Sequence, residues 1–282
     1  MYMEESIRTL LAGTTALLAG HVDNPRLEAE ILLAHILGKD RLFLRLHDRD
    51  NVEGEKASFL QDLAGRRLLG EPIAYLTGKR EFFGREFGVA RGVLTPRPET
   101  ELMVETALEL AGERKSLLIA DLGAGTGCIG ISLALERSGV AGYLLEKSPL
   151  AISVCRKNRD RLGAQSLVVL KADMKNVPLP DASLDMVLAN PPYIAKDDPA
   201  VEEGVRRYEP GSALFADNAG LELLEACVCE ARRLLKKGGW VLLEHGLAQG
   251  EAVRHMLAKK HFCEFFTKKD LAGLDRLSIA RV

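Results

Sequence analysis

No stretch of the 282-residue sequence approaches the roughly 18 consecutive apolar residues that a membrane-spanning helix needs. A bilayer-spanning role is therefore not expected. A basic excess is missing too. Lys and Arg number 38 against 40 Asp and Glu, giving a net charge of -2 and a pI near 6.3. That balance argues against a general nucleic-acid surface, though not against a local basic patch. Cysteine is sparse and scattered: Cys128, Cys155, Cys227, Cys229 and Cys263 form no C-x-x-C pair and no zinc spacing. An odd, dispersed set fits reduced thiols in the cytosol, so the expected location is cytoplasmic. His21, His35 and His47 fall on different segments without ligand spacing and read as solvated or core residues, and no metal is expected. The acidic Met1–Ser6 start does not read as a signal peptide, and no repeat or low-complexity tract is present.

What is there reads as one large domain with a smaller one before it. Residues 4–69 carry helical patterning. Ile7, Leu10, Leu11, Leu17 and Leu18 are helix-spaced, and Asn24-Pro25 opens a second helix whose apolar face stops at Gly38. A third helix, about Val52 to Leu69, ends in the pair Arg66-Arg67, which suits a helix C-terminus. From Glu71 the texture changes, and residues 81–89 (EFFGREFGV) read as a hairpin. The expected division is a helical domain over 1–78, a hairpin linker over 79–93 and an α/β domain over 94–282. Thr95-Pro-Arg-Pro-Glu-Thr-Glu101 leads into a helix to Leu110, and plain capping accounts for it.

Ser116–Asp121 reads as a buried strand running into Leu122-Gly123-Ala124-Gly125-Thr126-Gly127-Cys128 and then a helix. Strand, glycine loop and helix imply backbone that must approach a ligand closely. The spacing is G-x-G-x-G, which differs from the pyrophosphate-binding turn and disfavours a nicotinamide-linked oxidoreductase. A second strand ends at Glu146, about 20 residues on, where an acid meets a ribose diol in dinucleotide folds. A third leads to Asp173-Met174, an acceptor for an adenine amine beside a side chain that can pack on its face. Singly, Glu146 and Asp173 also read as strand-end surface acids, but together with the glycine loop they describe a nucleoside site.

The run Leu184–Ala189 is a further buried strand, halted by Asn190-Pro191-Pro192-Tyr193. Two prolines cannot donate backbone hydrogen bonds, and the residue before each is held extended. A stiff loop at a strand's carboxyl end results, where open α/β sheets bind ligands. The Asn190 side-chain oxygen and the Pro191 carbonyl can each accept one N–H, and Tyr193 can stack on a planar group. Residues 196–218 are polar and long enough for a functional flap. The remaining pattern gives a helix over 220–235, a strand from Trp240 ending at Glu244-His245-Gly246, a helix over 248–258 and two closing strands. His245 reads as structural.

The string Asp121–Gly127 resembles the S-adenosyl-L-methionine motif of Rossmann-like, class I methyltransferases. Asn190–Tyr193 resembles the catalytic loop of those that methylate planar amide or amine nitrogens. With residues 72–78 (PIAYLTG), 95–101 (TPRPETE), 208–210 (YEP) and 243–246 (LEHG), nearly the whole chain resembles the PrmC/HemK family of glutamine-N5 methyltransferases. The resemblance implies a mostly parallel seven-stranded sheet with a small helical N-terminal domain. It implies S-adenosyl-L-methionine as methyl donor, bound by Asp121, Gly123, Ala124, Gly125, Thr126, Gly127, Glu146, Asp173, Met174 and Asn190. Asn190, Pro191, Pro192 and Tyr193 would be catalytic. The substrate would be the glutamine of the Gly-Gly-Gln motif of peptide chain release factors, modified by a monomer without nucleic acid. Asn-Pro-Pro-Tyr alone is shared with adenine-N6 methyltransferases, so methylation of DNA or RNA is the alternative. Such an enzyme should carry a basic recognition region. A non-catalytic adaptor of the same fold would not need the Asn190 loop.

Overall fold

The computed structural model describes residues 4–199 and 201–282, so part of the Met1–Ser6 start and one position of the 196–218 segment lie outside the described residues. The chain forms two compact units, one of Met1–Gly78 with Glu202–Tyr208, the other of Lys79–Val201 with Glu209–Val282.

The smaller unit contains β1 (Glu5–Ser6), α1 (Ile7–Leu18), α2 (Pro25–Leu37), α3 (Arg41–Leu46), β2 (Asn51–Val52), α4 (Gly54–Leu68) and α5 (Ile73–Thr77). Its helices start where capping residues stand. Ser6 accepts from Thr9 N, Pro25 opens α2, and Asp40 accepts from Phe43 N. The stripes Leu10–Leu11, Leu32–Leu33 and Leu60–Leu63 close on one another as its core. Helices α3 and α5, six and five residues long, were not expected; neither is long enough to show a helical period. The helix α9 (Glu203–Tyr208) belongs to this unit, and Tyr208 donates its hydroxyl to the Leu69 carbonyl.

The larger unit opens with the hairpin β3 (Lys79–Phe82) and β4 (Arg85–Gly88), then a 3-10 turn (Pro98–Thr100) and α6 (Glu101–Ala111). The hairpin read as a linker is part of this unit's core: Phe82 and Phe87 are buried edge to face, and Phe83 N donates to Glu101 Oε1. There follow β5 (Leu117–Leu122), α7 (Cys128–Glu136), β6 (Val140–Glu146), α8 (Pro149–Leu162), β7 (Leu167–Lys171), β8 (Leu184–Ala189), β9 (Ile194–Ala195), α10 (Gly211–Leu214) and β10 (Phe215–Ala216). The chain closes with α11 (Glu222–Leu234), β11 (Leu235–Glu244), α12 (Gly250–Lys259), β12 (Cys263–Lys269) and β13 (Asp275–Arg281).

Seven strands form one sheet in the order β12-β13-β11-β8-β5-β6-β7, with β13 antiparallel to both its neighbours. Strands β5, β6 and β8, and β11 from Trp240 to Leu243, read as largely apolar runs because both faces are covered. Met186 and Leu188 enter one core cluster while Val187 and Ala189 enter the other, as alternation across a sheet requires. The lysine-glycine run 236–239 lies within β11 across a register shift between Leu235 and Trp240. The chain builds β5, β6 and β7 outward in one direction and then returns to place β8 on the other side of β5. The crevice at the carboxyl ends of β5 and β8 is thus the switch point where such sheets hold ligands.

Candidate active site

A cavity of about 590 Å³ opens at that switch point, and all of its walls come from the larger unit. Its volume lies in the range of small-molecule sites. Of the expected residues, Gly123, Ala124, Gly125, Thr126, Glu146, Asp173, Met174, Asn190 and Pro192 wall it. Asp121, Gly127, Pro191 and Tyr193 do not.

The glycine loop is held by its neighbours. Gly127, at φ +82°, precedes the first turn of α7; a Cβ there would meet Ile131 and Cys155 below 3 Å. Asn158 on α8 donates to the Thr126 carbonyl and pairs with both backbone groups of Gly88, tying the hairpin to the loop. Asp121 was expected to touch the ligand, but it is fully buried behind the loop and accepts from Gly130 N in the first turn of α7 at 3.1 Å. Burial pushes its carboxyl up to about 7.

Glu146 ends β6 and accepts three backbone N–H groups: Gly125 at 2.9 Å, Lys147 at 2.7 Å and Ser148 at 2.8 Å. A carboxylate offers about four acceptor positions, so one stays open toward the cavity. Asp173, at the end of β7, accepts from Lys147 Nζ and Lys175 N, and the Lys147 hydrogen bond is the main cause of its lowered pKa. Met174 packs over Gly123, where a Cβ would come within 2.6 Å of its terminal methyl. A glycine cradle, a fixed carboxylate and a second acid beside a flexible apolar side chain fit a nucleoside bearing a ribose diol and an amine.

On the opposite side, Asn190 follows β8. Its Nδ2 donates to Thr100 Oγ1 at 3.1 Å, which leaves its Oδ1 available as an acceptor. Tyr193 was expected to stack on a ligand. Instead its ring packs on the core and its hydroxyl donates to Glu244 Oε1 at 3.3 Å, at the end of β11. Burial raises the tyrosine pKa above its ordinary value and pushes Glu244 up to about 7. Gln249 holds the end of this loop, donating to the Tyr193 carbonyl at 2.9 Å and the Ala219 carbonyl at 3.2 Å while accepting from Gly246 N. His245 is structural, bonded to Ser278 Oγ and next to the Gly246 carbonyl, and burial lowers its pKa.

Sequence reasoning missed the wall supplied by residues 92–97 and by Ser212 and Ala213. Arg97 in that wall pairs with Glu209, which is 5% exposed. The strings 95–101 and 208–210 were the signal: Pro98 and Glu101 do open the 3-10 turn and α6, and the same stretch also walls the cavity. Among the described residues no cluster of His, Cys, Asp and Glu could hold a metal, and no helix is long and apolar enough to cross a membrane.

The PrmC N-terminal domain profile matches residues 9–78, and a methyltransferase domain profile matches residues 113–273. The hMettl16 catalytic domain in complex with MAT2A 3'UTR hairpin 6 superposes with a TM-score of 0.57 at 17% identity, covering 78% of this chain and 81% of that one. Such likeness is one of fold, that of class I S-adenosyl-L-methionine-dependent methyltransferases. A release factor glutamine methyltransferase of Bordetella pertussis is 40% identical over 254 residues, 90% of this chain and 94% of the relative. Its namesake in Geobacter sulfurreducens is 38% identical over 279 residues, 98% of this chain and 97% of the relative, and that of Escherichia coli K12 is 36% identical over 92% and 93%. With likeness of this extent over nearly its full length, the chain belongs to the release factor glutamine methyltransferase family.

Proposed function

We propose that this enzyme transfers a methyl group from S-adenosyl-L-methionine to the side-chain amide nitrogen (N5) of the glutamine in the Gly-Gly-Gln motif of peptide chain release factors. The observation that carries this reading is Asn190. It stands at the cavity wall with its amide N–H committed to Thr100 and its carbonyl oxygen left to accept from a substrate.

When bound, S-adenosyl-L-methionine supplies a methyl group on a positively charged sulfur. Gly123, Ala124, Gly125, Thr126 and Glu146 would hold its nucleoside together with Asp173 and Met174. A glutamine amide is a poor nucleophile because its nitrogen lone pair is shared with its carbonyl. Asn190 Oδ1 and the Pro191 carbonyl accept its two N–H groups, which favours charge development on nitrogen and aims the lone pair at the methyl carbon. Orientation of this kind lowers a barrier by several kcal/mol, and preorganised dipoles by about as much again. The nitrogen's protons become acidic only as the new bond forms, so no strong base is needed and the one proton lost passes to water. Pro192 stiffens the loop, and Tyr193 anchors it to Glu244.

Residues 1–78 are assigned to capture of the release factor, 79–93 to the hairpin link and 94–282 to catalysis. In support, the smaller unit contributes nothing to the cavity wall. The enzyme acts as a cytoplasmic monomer without nucleic acid. The five free cysteines fit a reducing compartment.

Incubation with labelled S-adenosyl-L-methionine and either a release factor or duplex DNA tests the reading. Label is expected in the protein alone. Transfer to adenine in DNA, with the release factor untouched, would replace it with the base-methylating alternative.

A further inference from the structure

We propose that Thr100, backed by Glu244, is a positioning residue for methyl transfer: its hydroxyl fixes which end of the Asn190 amide faces the substrate. The inference rests on the reading of Asn190 given above. An asparagine side chain is nearly symmetric in shape, with an acceptor at one end and a donor at the other. Turned the wrong way, it would present N–H to the substrate's N–H and lose the grip entirely.

A threonine hydroxyl cannot by itself choose between these orientations, since it both donates and accepts. Glu244 makes the choice. It is 2% exposed, and Tyr193 donates to its Oε1 at 3.3 Å. Among the described residues its Oε2 makes no hydrogen bond of standard geometry, yet the Thr100 hydroxyl lies near enough to favour its charged form. In its ionised form a carboxylate is acceptor-only, so that form draws the Thr100 O–H toward Glu244. Only lone pairs then face Asn190, and only the Nδ2 end can satisfy them, as the 3.1 Å contact has it.

Two further facts separate this from ordinary capping. Thr100 sits at the N-cap of α6, yet its side chain makes no cap bond. It is 2% exposed and still forms part of the cavity wall, and its hydroxyl oxygen accepts from Asn190 rather than from its own helix. The charged groups around Glu244 come from several elements: Arg276 on β13 favours its ionised form, as do the hydroxyls of Thr100 and Tyr193, while Glu99 opposes it. His245, the next residue, is kept neutral by burial. Protonation of Glu244 would free the Thr100 hydroxyl to donate toward Asn190, and the orientation would be lost.

The test compares Thr100→Val, Thr100→Ser, Asn190→Ala and Glu244→Gln with the wild-type enzyme on intact release factor. Thr100→Val should lower kcat by about tenfold or more, as for a misdirected catalytic contact, with S-adenosyl-L-methionine affinity within about twofold. Thr100→Ser keeps the hydroxyl and should recover most of the rate. The wild-type kcat should rise with pH through an ionisation near 7 that Glu244→Gln lacks. If Asn190→Ala is crippled while Thr100→Val turns over normally, the inference is overturned and the reading of Asn190 stands. If Asn190→Ala itself keeps its rate, the reading fails first. Should Thr100→Val not fold, identical pH profiles for wild type and Glu244→Gln would overturn the inference on their own.

Discussion

The two sides of the cavity are built by different means. Glu146 takes its hydrogen bonds from backbone groups 1, 2 and 21 residues away. Asn190 and Tyr193 depend on side chains 90, 51 and 56 residues away, those of Thr100, Glu244 and Gln249. Backbone donors from a rigid turn tolerate change in their own side chains, provided the glycines stay. A relay of side chains over such spans fails at any member. The cofactor side should therefore lose affinity in measured steps, whereas the substrate side should lose rate abruptly.

The largest expected effect is at Asn190. Asn190→Ala should lower kcat by about 100-fold or more, the cost of one preorganised polar contact, with S-adenosyl-L-methionine affinity nearly intact by calorimetry. Equal losses in both quantities would erase the distinction between the two sides. Gly220→Ala comes next. Gly220 lies at φ +82°, and a Cβ there would sit 2.0 Å from the Tyr193 carbonyl oxygen, so the loop must move. Thermal unfolding should reveal about 1–3 kcal/mol of destabilisation, and the rate should fall by more than the melting temperature explains.

Sequence legibility followed the same division. The G-x-G-x-G loop and Glu146 could be read because close backbone approach demands glycine and a carboxylate at fixed spacing. The individual strands were legible in the local pattern, down to the one ending at Asn190, whereas their assembly into one mostly parallel seven-stranded sheet came from the family resemblance. Tyr193 was not, because the buried partner that claims its hydroxyl stands 51 residues away. Asp121 was read as a ligand contact, whereas its carboxylate accepts from Gly130 N in α7: an acid beside a glycine loop can hold the helix that follows as readily as a ligand. No period in the sequence announced that Glu203–Tyr208 would join the N-terminal helices.

On the cofactor side, Glu146→Ala should weaken S-adenosyl-L-methionine binding by about 1–3 kcal/mol, since the open acceptor position and the turn's three N–H partners go together. Unchanged affinity would remove Glu146 from the site.

The pH dependence sharpens the substrate side. Glu244 has an ordinary value of 4.5 and a folded value of about 7, so between these the native state keeps a proton that the unfolded chain has released. Its contribution to stability is full below 4.5 and is lost as pH rises toward 7. Asp121 behaves alike, and His245, with its lowered pKa, opposes both below pH 6.5. Glu244→Gln removes one of these slopes. Its stability relative to wild type should climb by about 1–3 kcal/mol from pH 5 to pH 8, and a constant offset in chemical denaturation would contradict the buried, titrating carboxylate. The smallest effect belongs to Lys147, whose ion pair with Asp173 is 75% exposed on the lysine side. Lys147→Ala should change cofactor affinity by less than about 1 kcal/mol, and a larger change would mean that Lys147 holds the nucleoside itself.

The account's central claim is that the amide gripped by Asn190 belongs to the glutamine of a Gly-Gly-Gln loop. Fragmentation mass spectrometry of a release factor after reaction locates the added methyl most directly. The account predicts one methyl on that glutamine's side-chain nitrogen, and none when Asn190→Ala replaces the wild type over the same interval. A methyl on any other residue, or the same glutamine methylated at full rate by Asn190→Ala, would contradict it.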